Sequence, residues 1–340
     1  MQRMQRFQSA RASSVTALSR VLGVTCFTLG ACATAPAAGS AALTSDAFPG
    51  VGTPAPLPGG GVAFESLEGP YWIAARGALV FSDVVEGNGP GARIHRYDPA
   101  ARTYVPLPYP TSAPTSTNGL AVDPQGRLIA CERYNARVVR IEANGQATVL
   151  AERWPVTDGL PLGAPNDLSV RGDGNIYFTD SDWGARPGVT HAPMGVYRIS
   201  PVGELSRVLE MEKPNGIALA PDGSKLYVGS DVQAKVWSFP VDATGNVGAP
   251  TLLIDGPTVP GGFKVPDGIC IDDTGNLYIA NNDDAIKAIL VFDPAGHGLG
   301  RIPIPFRPSN CTFGGADRRT LYVTTLHTVY EVRMPAPGLP

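Results

Sequence analysis

Six short stretches of this chain open in the same way, with an Asn, Asp or Glu followed at once by an apolar run. They are "LEGPYW" at Glu68, "TNGLAV" at Asn118, "PNDLSV" at Asn166, "PNGIAL" at Asn215, "PDGICI" at Asp267 and "SNCTFG" at Asn310, separated by 50, 48, 49, 52 and 43 residues. A period of this length, carried six times, marks a repeat architecture in which each unit buries its apolar faces against its neighbours. After most markers comes an apolar strand, a turn such as "DPQG" or "DDTG", and a second strand such as "RLIACE" or "NLYIAN". Third strands ("RVVRIE", "GVYRIS") and fourth strands ("QATVLAE", "LSRVLE") follow. Four short antiparallel strands per repeat predict an all-β, six-bladed β-propeller over residues 61–335. The 40 Gly and 33 Pro leave little room for long helices. The last repeat is one strand short, so "GVAFESL" at 61–67 is expected to return as its outer strand and close the ring.

In a propeller the first strand of each blade lines the central channel, so the six markers converge on one axis. A single Asn there would read as a turn or backbone cap. Several convergent carboxylates and amides must instead be paired, protonated or bound to a cation. No Lys or Arg occupies a marker position. The reading is a metal held by oxygen donors. Calcium suits such a set, with magnesium or manganese as alternatives and zinc poorly served.

The N-terminus lies outside this pattern. Arg3, Arg6, Arg11 and Arg20 precede "VLGVTCFTLGA", which has the length of a signal-peptide core and is too short to span a bilayer. "LGAC", Leu29 to Cys32, resembles the bacterial lipobox. The expectation is a leader over 1–31, lipidation of Cys32, and a Pro- and Ala-rich tether over 32–60 without a packed core. Ala33, by the same resemblance, implies the periplasmic face of the outer membrane, with the membrane reached only through the lipid. The mature domain keeps Cys131, Cys270 and Cys311, an odd number, read as buried hydrophobes with no disulfide framework. A net charge of -3 argues against a nucleic-acid partner. A monomer is expected.

The stretches "EGPYW", "TNGLAVDPQGRLIACE", "PNDLSVRGDGNIYFTD", "PNGIALAPDG", "PDGICIDDTGNLYIA" and "NCTFGGADRRTLYVTT" resemble the gluconolactonase, regucalcin and luciferin-regenerating-enzyme family of metal-dependent six-bladed propellers. The resemblance implies a metal held by Glu68, Asn166, Asn215 and Asp267, with Asp267 also activating water. It implies substrate contact at Asn118, with Asn310 lining the same channel. Where bacterial gluconolactonases commonly have a His after the Glu of "ACE", this chain has Glu132 followed by Arg133, and a guanidinium favours an anionic or polyhydroxyl ligand. Asp180 and Asp182, ending a second strand, are candidates to touch substrate, whereas His191 reads as a loop residue. The expected activity is opening of a sugar lactone or related ester. A phosphotriesterase of the diisopropylfluorophosphatase type, or a binding propeller with a structural ion, would use the same scaffold.

Overall fold

The computed structural model describes residues 47–58, 63–84, 93–108 and 116–340. The leader, Cys32 and the tether as far as residue 46 lie outside the described residues. Residues 40–340 belong to one compact unit. Among the described residues no helix is long and apolar enough to cross a membrane.

Six four-stranded antiparallel sheets follow one another along the chain. Their first strands are Leu67–Ile73, Thr117–Val122, Ala164–Val170, Pro214–Leu219, Pro266–Ile271 and Pro308–Gly314, so each marker lies among the opening residues of a first strand. The strands read as continuous apolar runs because each blade is covered on both faces. In the fifth blade Leu277 and Ile279 pack toward the fourth, whereas Tyr278 and Ala280 pack toward the sixth. That division follows the two-residue period of a strand. Burying one large apolar side chain contributes roughly 1.5–3 kcal/mol, and the interfaces repeat it around the ring.

The ring closes one step earlier in the chain than the sequence pattern indicates. Ala55–Pro56, not 61–67, pairs with the strand Val329–Arg333, in the register Ala55 with Glu331 and Pro56 with Tyr330. A two-residue edge strand tolerates Pro and carries no apolar alternation, so it reads as tether. Phe64, from the expected strand, packs on Phe81 and Tyr104 of the first blade instead. The tail "PAPGLP" also belongs to the fold: Leu339 N donates to Ile271 O, and Phe313 N donates to Leu339 O.

The cysteine reading needs correction too. Cys270 and Cys311, 41 residues apart, form a disulfide between the innermost strands of the fifth and sixth blades, with 5.8 Å between their Cα atoms. Cys131 is the one left over, buried and unpaired among the described residues, its thiol pushed up by burial.

Candidate functional site

Every first strand carries a register shift beside its marker. Pairing runs from Pro214–Ser230 to Ile217–Val228, and from Pro266–Asn281 to Ile269–Ile279, skipping the marker and the residue after it. The other four blades show the same kind of irregularity. A bulge re-aims a side chain that a regular strand would point into a blade interface. The Gly after the marker has a different reason. A Cβ on Gly216 would lie 2.0 Å from the carbonyl oxygen of Asp267, and one on Gly69 would lie 2.2 Å from that of Asn118. Neighbouring blades touch backbone to backbone at these positions.

The second strands supply another ring. Val84, Arg133, Asp231 and Asn282 each donate their backbone N–H to the carbonyl two residues before the marker of their own blade. All four line one cavity of about 540 Å³ together with Glu68, Asn118, Asn166, Asn215 and Asp267. Two of them orient marker side chains. Asp231 accepts from Asn215 Nδ2 at 3.1 and 3.2 Å, leaving the amide oxygen for the cavity. Asn282 Nδ2 donates to Asp267 Oδ2. Partners of this kind fix the ligands of a metal site. Sequence reasoning missed Asp231 and Asn282, although their phase relative to the markers, one residue past the strand-pairing partner, was available to find them.

Residues just before this second ring have a structural task. Asp83 accepts from the N–H groups of Glu65 and Ser66, and Asn281 Oδ1 accepts from that of Lys264, so each pins the chain entering its blade. Asp180 does the same for Gly163. Glu132 sits at the equivalent pairing position, opposite Thr117, and bonds Arg137 and Asn135 rather than facing the cavity. Asp182 is paired with Lys213, whose ammonium lies 4.1 Å from the ring centre of Trp183. It is Trp183, 42% exposed, that reaches the cavity rim. Glu132 and Asp182 are thus outside the cavity lining.

Asn310 is displaced as well. In the sixth blade the shift falls between Pro308 and Asn310, which puts Ser309 in the marker position. Asn310 stands one position deeper beside Asp167, the residue after Asn166. Its Nδ2 donates to Asp167 Oδ2 at 3.3 Å and to Glu68 Oε2 at 3.4 Å. This pair forms a polar floor below the markers.

The electrostatics are those of crowded, buried acids. Burial, then the charge of Asp167, pushes Glu68 up to about 8. Burial, then Glu68 and Asp231, holds Asp267 well above the usual carboxylate range. Burial raises Asp231 and Asp167 to about 6 each. Asn118 Oδ1 is buried with no donor among the described residues. Oxygen-only donors, mutually repelling carboxylates and an unsatisfied amide oxygen fit a hard divalent cation better than they fit the protein alone.

Residues 67–327 match the SMP-30/Gluconolactonase/LRE-like region. The gluconolactonase of Zymomonas mobilis subsp. mobilis is 30% identical over 290 residues, covering 80% of this chain and 79% of that protein. Among solved structures, a gluconolactonase from Xanthomonas campestris is 33% identical with a TM-score of 0.69, covering 80% of this chain and 87% of that one. A luciferin-regenerating enzyme, at 20% identity and a TM-score of 0.67, shares the fold, with coverage of 82% of this chain and 94% of that one.

Proposed function

This chain belongs to the SMP-30/Gluconolactonase/LRE-like family, and from that premise we propose that it is a calcium-dependent lactonase opening a sugar lactone in the 540 Å³ cavity. One observation carries the reading: Glu68, Asn166, Asn215 and Asp267 line a single cavity, with the amide of Asn215 and the carboxylate of Asp267 each held by a partner on its own blade. Those four would hold the ion. When bound, calcium supplies Lewis-acid polarisation of the lactone carbonyl.

The chain's own residues do the rest. Asn282 holds Asp267 through Oδ2, which leaves Oδ1 as the basic atom. In this scheme a water oxygen bonds to the carbonyl carbon while its proton passes to Asp267. The ring C–O bond then breaks, and the leaving oxygen takes that proton back, so the base is regenerated. Asn118, on the second blade across the same cavity from the base, is suited to a sugar hydroxyl, since its Oδ1 lacks a donor among the described residues. The Cys270–Cys311 disulfide is of the kind that persists in an oxidising compartment, which supports export, and the lipid anchor at Cys32 is proposed with it from the Leu29 to Cys32 motif.

The test is a panel of lactones, carboxylic esters and phosphotriesters given to chelated protein to which calcium, magnesium, manganese or zinc is returned. Lactone opening restored best by calcium is expected. Turnover that survives chelation overturns the metal assignment, and hydrolysis confined to phosphotriesters overturns the substrate class.

A further inference from the structure

The cavity is polarised across its width. On the side of the fourth and fifth blades it presents Asp231, Asp267 and Asn282. On the opposite side the first blade contributes Ser66, Val84 and a single acid, Glu68, and two guanidiniums flank them, Arg133 from the second blade and Arg307 from the segment entering the sixth.

Each Arg is placed by the ring. Arg133 occupies the second-strand position that in the fourth and fifth blades holds Asp231 and Asn282, with its N–H bonded to Ser116 O at 2.9 Å. Its side chain lies over the turn after Trp183, where Gly184 leaves room: a Cβ there would come within 2.7 Å of Arg133 Nε. Arg307 is two residues before Ser309, a place taken in the first blade by Ser66 and in the fifth by Val265. Its side chain is 34% exposed and meets Asp284 at 3.6 Å, and Asp284 is itself 79% exposed. An ion pair that open to water contributes little, so an incoming anion competes with it readily.

The reacting carbonyl belongs on the side of Asp267, because the base is there. A sugar lactone seated so directs its far substituents toward Ser66, Val84 and the two guanidiniums. We propose, building on the lactonase reading, that the preferred substrate is a lactone bearing a second, anionic substituent such as a carboxylate, gripped by Arg133 and Arg307 over the first blade. Guanidiniums suit this task because their planar forks match a carboxylate in geometry as well as charge.

The experiment compares D-gluconolactone with the lactone of D-glucaric acid, which carries a free carboxylate, on calcium-loaded wild type, Arg133→Gln, Arg307→Gln and Arg133→Lys. Wild type is expected to favour the acidic lactone in kcat/KM by about tenfold or more, as charge-assisted hydrogen bonds supply. Each Gln variant should lower the ratio of acidic to neutral kcat/KM, mainly through KM, and Arg133→Lys should restore part of it. A wild-type ratio near one, or variants that leave the ratio unchanged, overturns the proposal. Calorimetric titration with D-glucarate and D-gluconate separates this inference from the lactonase reading. If no lactone is opened, yet glucarate binds about tenfold tighter than gluconate and loses that margin in the Gln variants, the anion site stands and the hydrolase falls. Equal affinities overturn the anion site whatever the activity.

Discussion

The channel has two ends made by the same six strands, and they differ in how their charges are met. At the far end a cavity of about 420 Å³ is walled by Val170, Leu219 and Ile271 and rimmed by the hairpin turns. Its Arg171 is answered locally, by Asp173 at 3.4 Å and by the carbonyl oxygens of Asp242 and Ala243. Leu339 and Pro340 of the tail also lie against it. At the near end, bulges turn Glu68, Asn166, Asn215 and Asp267 inward, and the carboxylates raise one another's proton affinity. At one end the charge is met within the protein, and at the other buried carboxylates stand crowded against one another. A regular strand builds the first kind, and only a departure from regularity builds the second.

The sharpest way to break this contrast is Asp267→Asn. It keeps an oxygen for the ion and removes the base, so turnover at saturating calcium should fall by about a hundredfold or more while calcium affinity changes modestly. Wild-type turnover would remove Asp267 from catalysis. Next in size is a pair of glycines. Gly216→Ala drives a Cβ into the backbone of the neighbouring blade and should lower unfolding stability by about 2 kcal/mol or more. Gly172→Ala, in a far-end turn with nothing within 4 Å of the added carbon, should stay within about 0.5 kcal/mol. Equal losses in denaturant titrations would show that the two ends are not packed differently.

Asn215→Ala removes a donor and no base, so it should weaken calcium binding by about tenfold or more, with activity largely recovered when calcium is raised. Activity that stays low at saturating calcium would mean that Asn215 has a further role.

The chelated protein offers a gentler test through pH. Glu68 is raised from 4.5 to about 8, so the folded state binds a proton that the unfolded state has released across that window. Stability contributed by its protonated form is present below about 4.5 and is lost as pH rises toward 8. Asp267 acts in the same direction. The melting temperature of the chelated protein should therefore drop between pH 5 and 8, and calcium should flatten the curve. A curve that is flat without calcium would contradict the crowding of charge at the near end. The smallest effect belongs to the far end: removing Leu339 and Pro340 should lower the melting temperature by a few degrees through two lost backbone hydrogen bonds and leave turnover within about twofold.

Much of this was legible in the repeat. The marker spacing places six blades because each blade must bury two faces and so repeats its strand pattern faithfully. Glu68, Asn118, Asn166, Asn215 and Asp267 line one cavity for the same reason. What escaped depends on shifts of one residue or on pairing between strands. Ser309 and Asn310 exchange places because the sixth blade's bulge is shorter by one, which no spacing of about 50 residues can reveal. Glu132 and Asp182 look like their neighbours in sequence, yet alternation sends Glu132 to Arg137, and Lys213 claims Asp182. The disulfide was discounted because three cysteines cannot all pair, but an odd count forbids only complete pairing, and Cys270 and Cys311 become neighbours once the fifth blade meets the sixth. Ala55–Pro56 lacks any apolar signal because an edge strand with both residues exposed needs none.

The contacts of Gly69, Gly119, Gly216 and Gly268 with the next blade bear on how such a site changes over time. At Gly69 and Gly216 the spacing between blades is set by main chain against main chain, so there it does not depend on which side chains hang inside, whereas Gly268 makes room for the side chain of Asn310. Asp231, Asn282, Val84 and Arg133 occupy one equivalent station on four blades and differ in size, charge and polarity without disturbing the frame. The stations behave as interchangeable fittings on a fixed mount: an ion held as proposed would keep its seat while a neighbouring station is refitted for a new acid, sugar or ester.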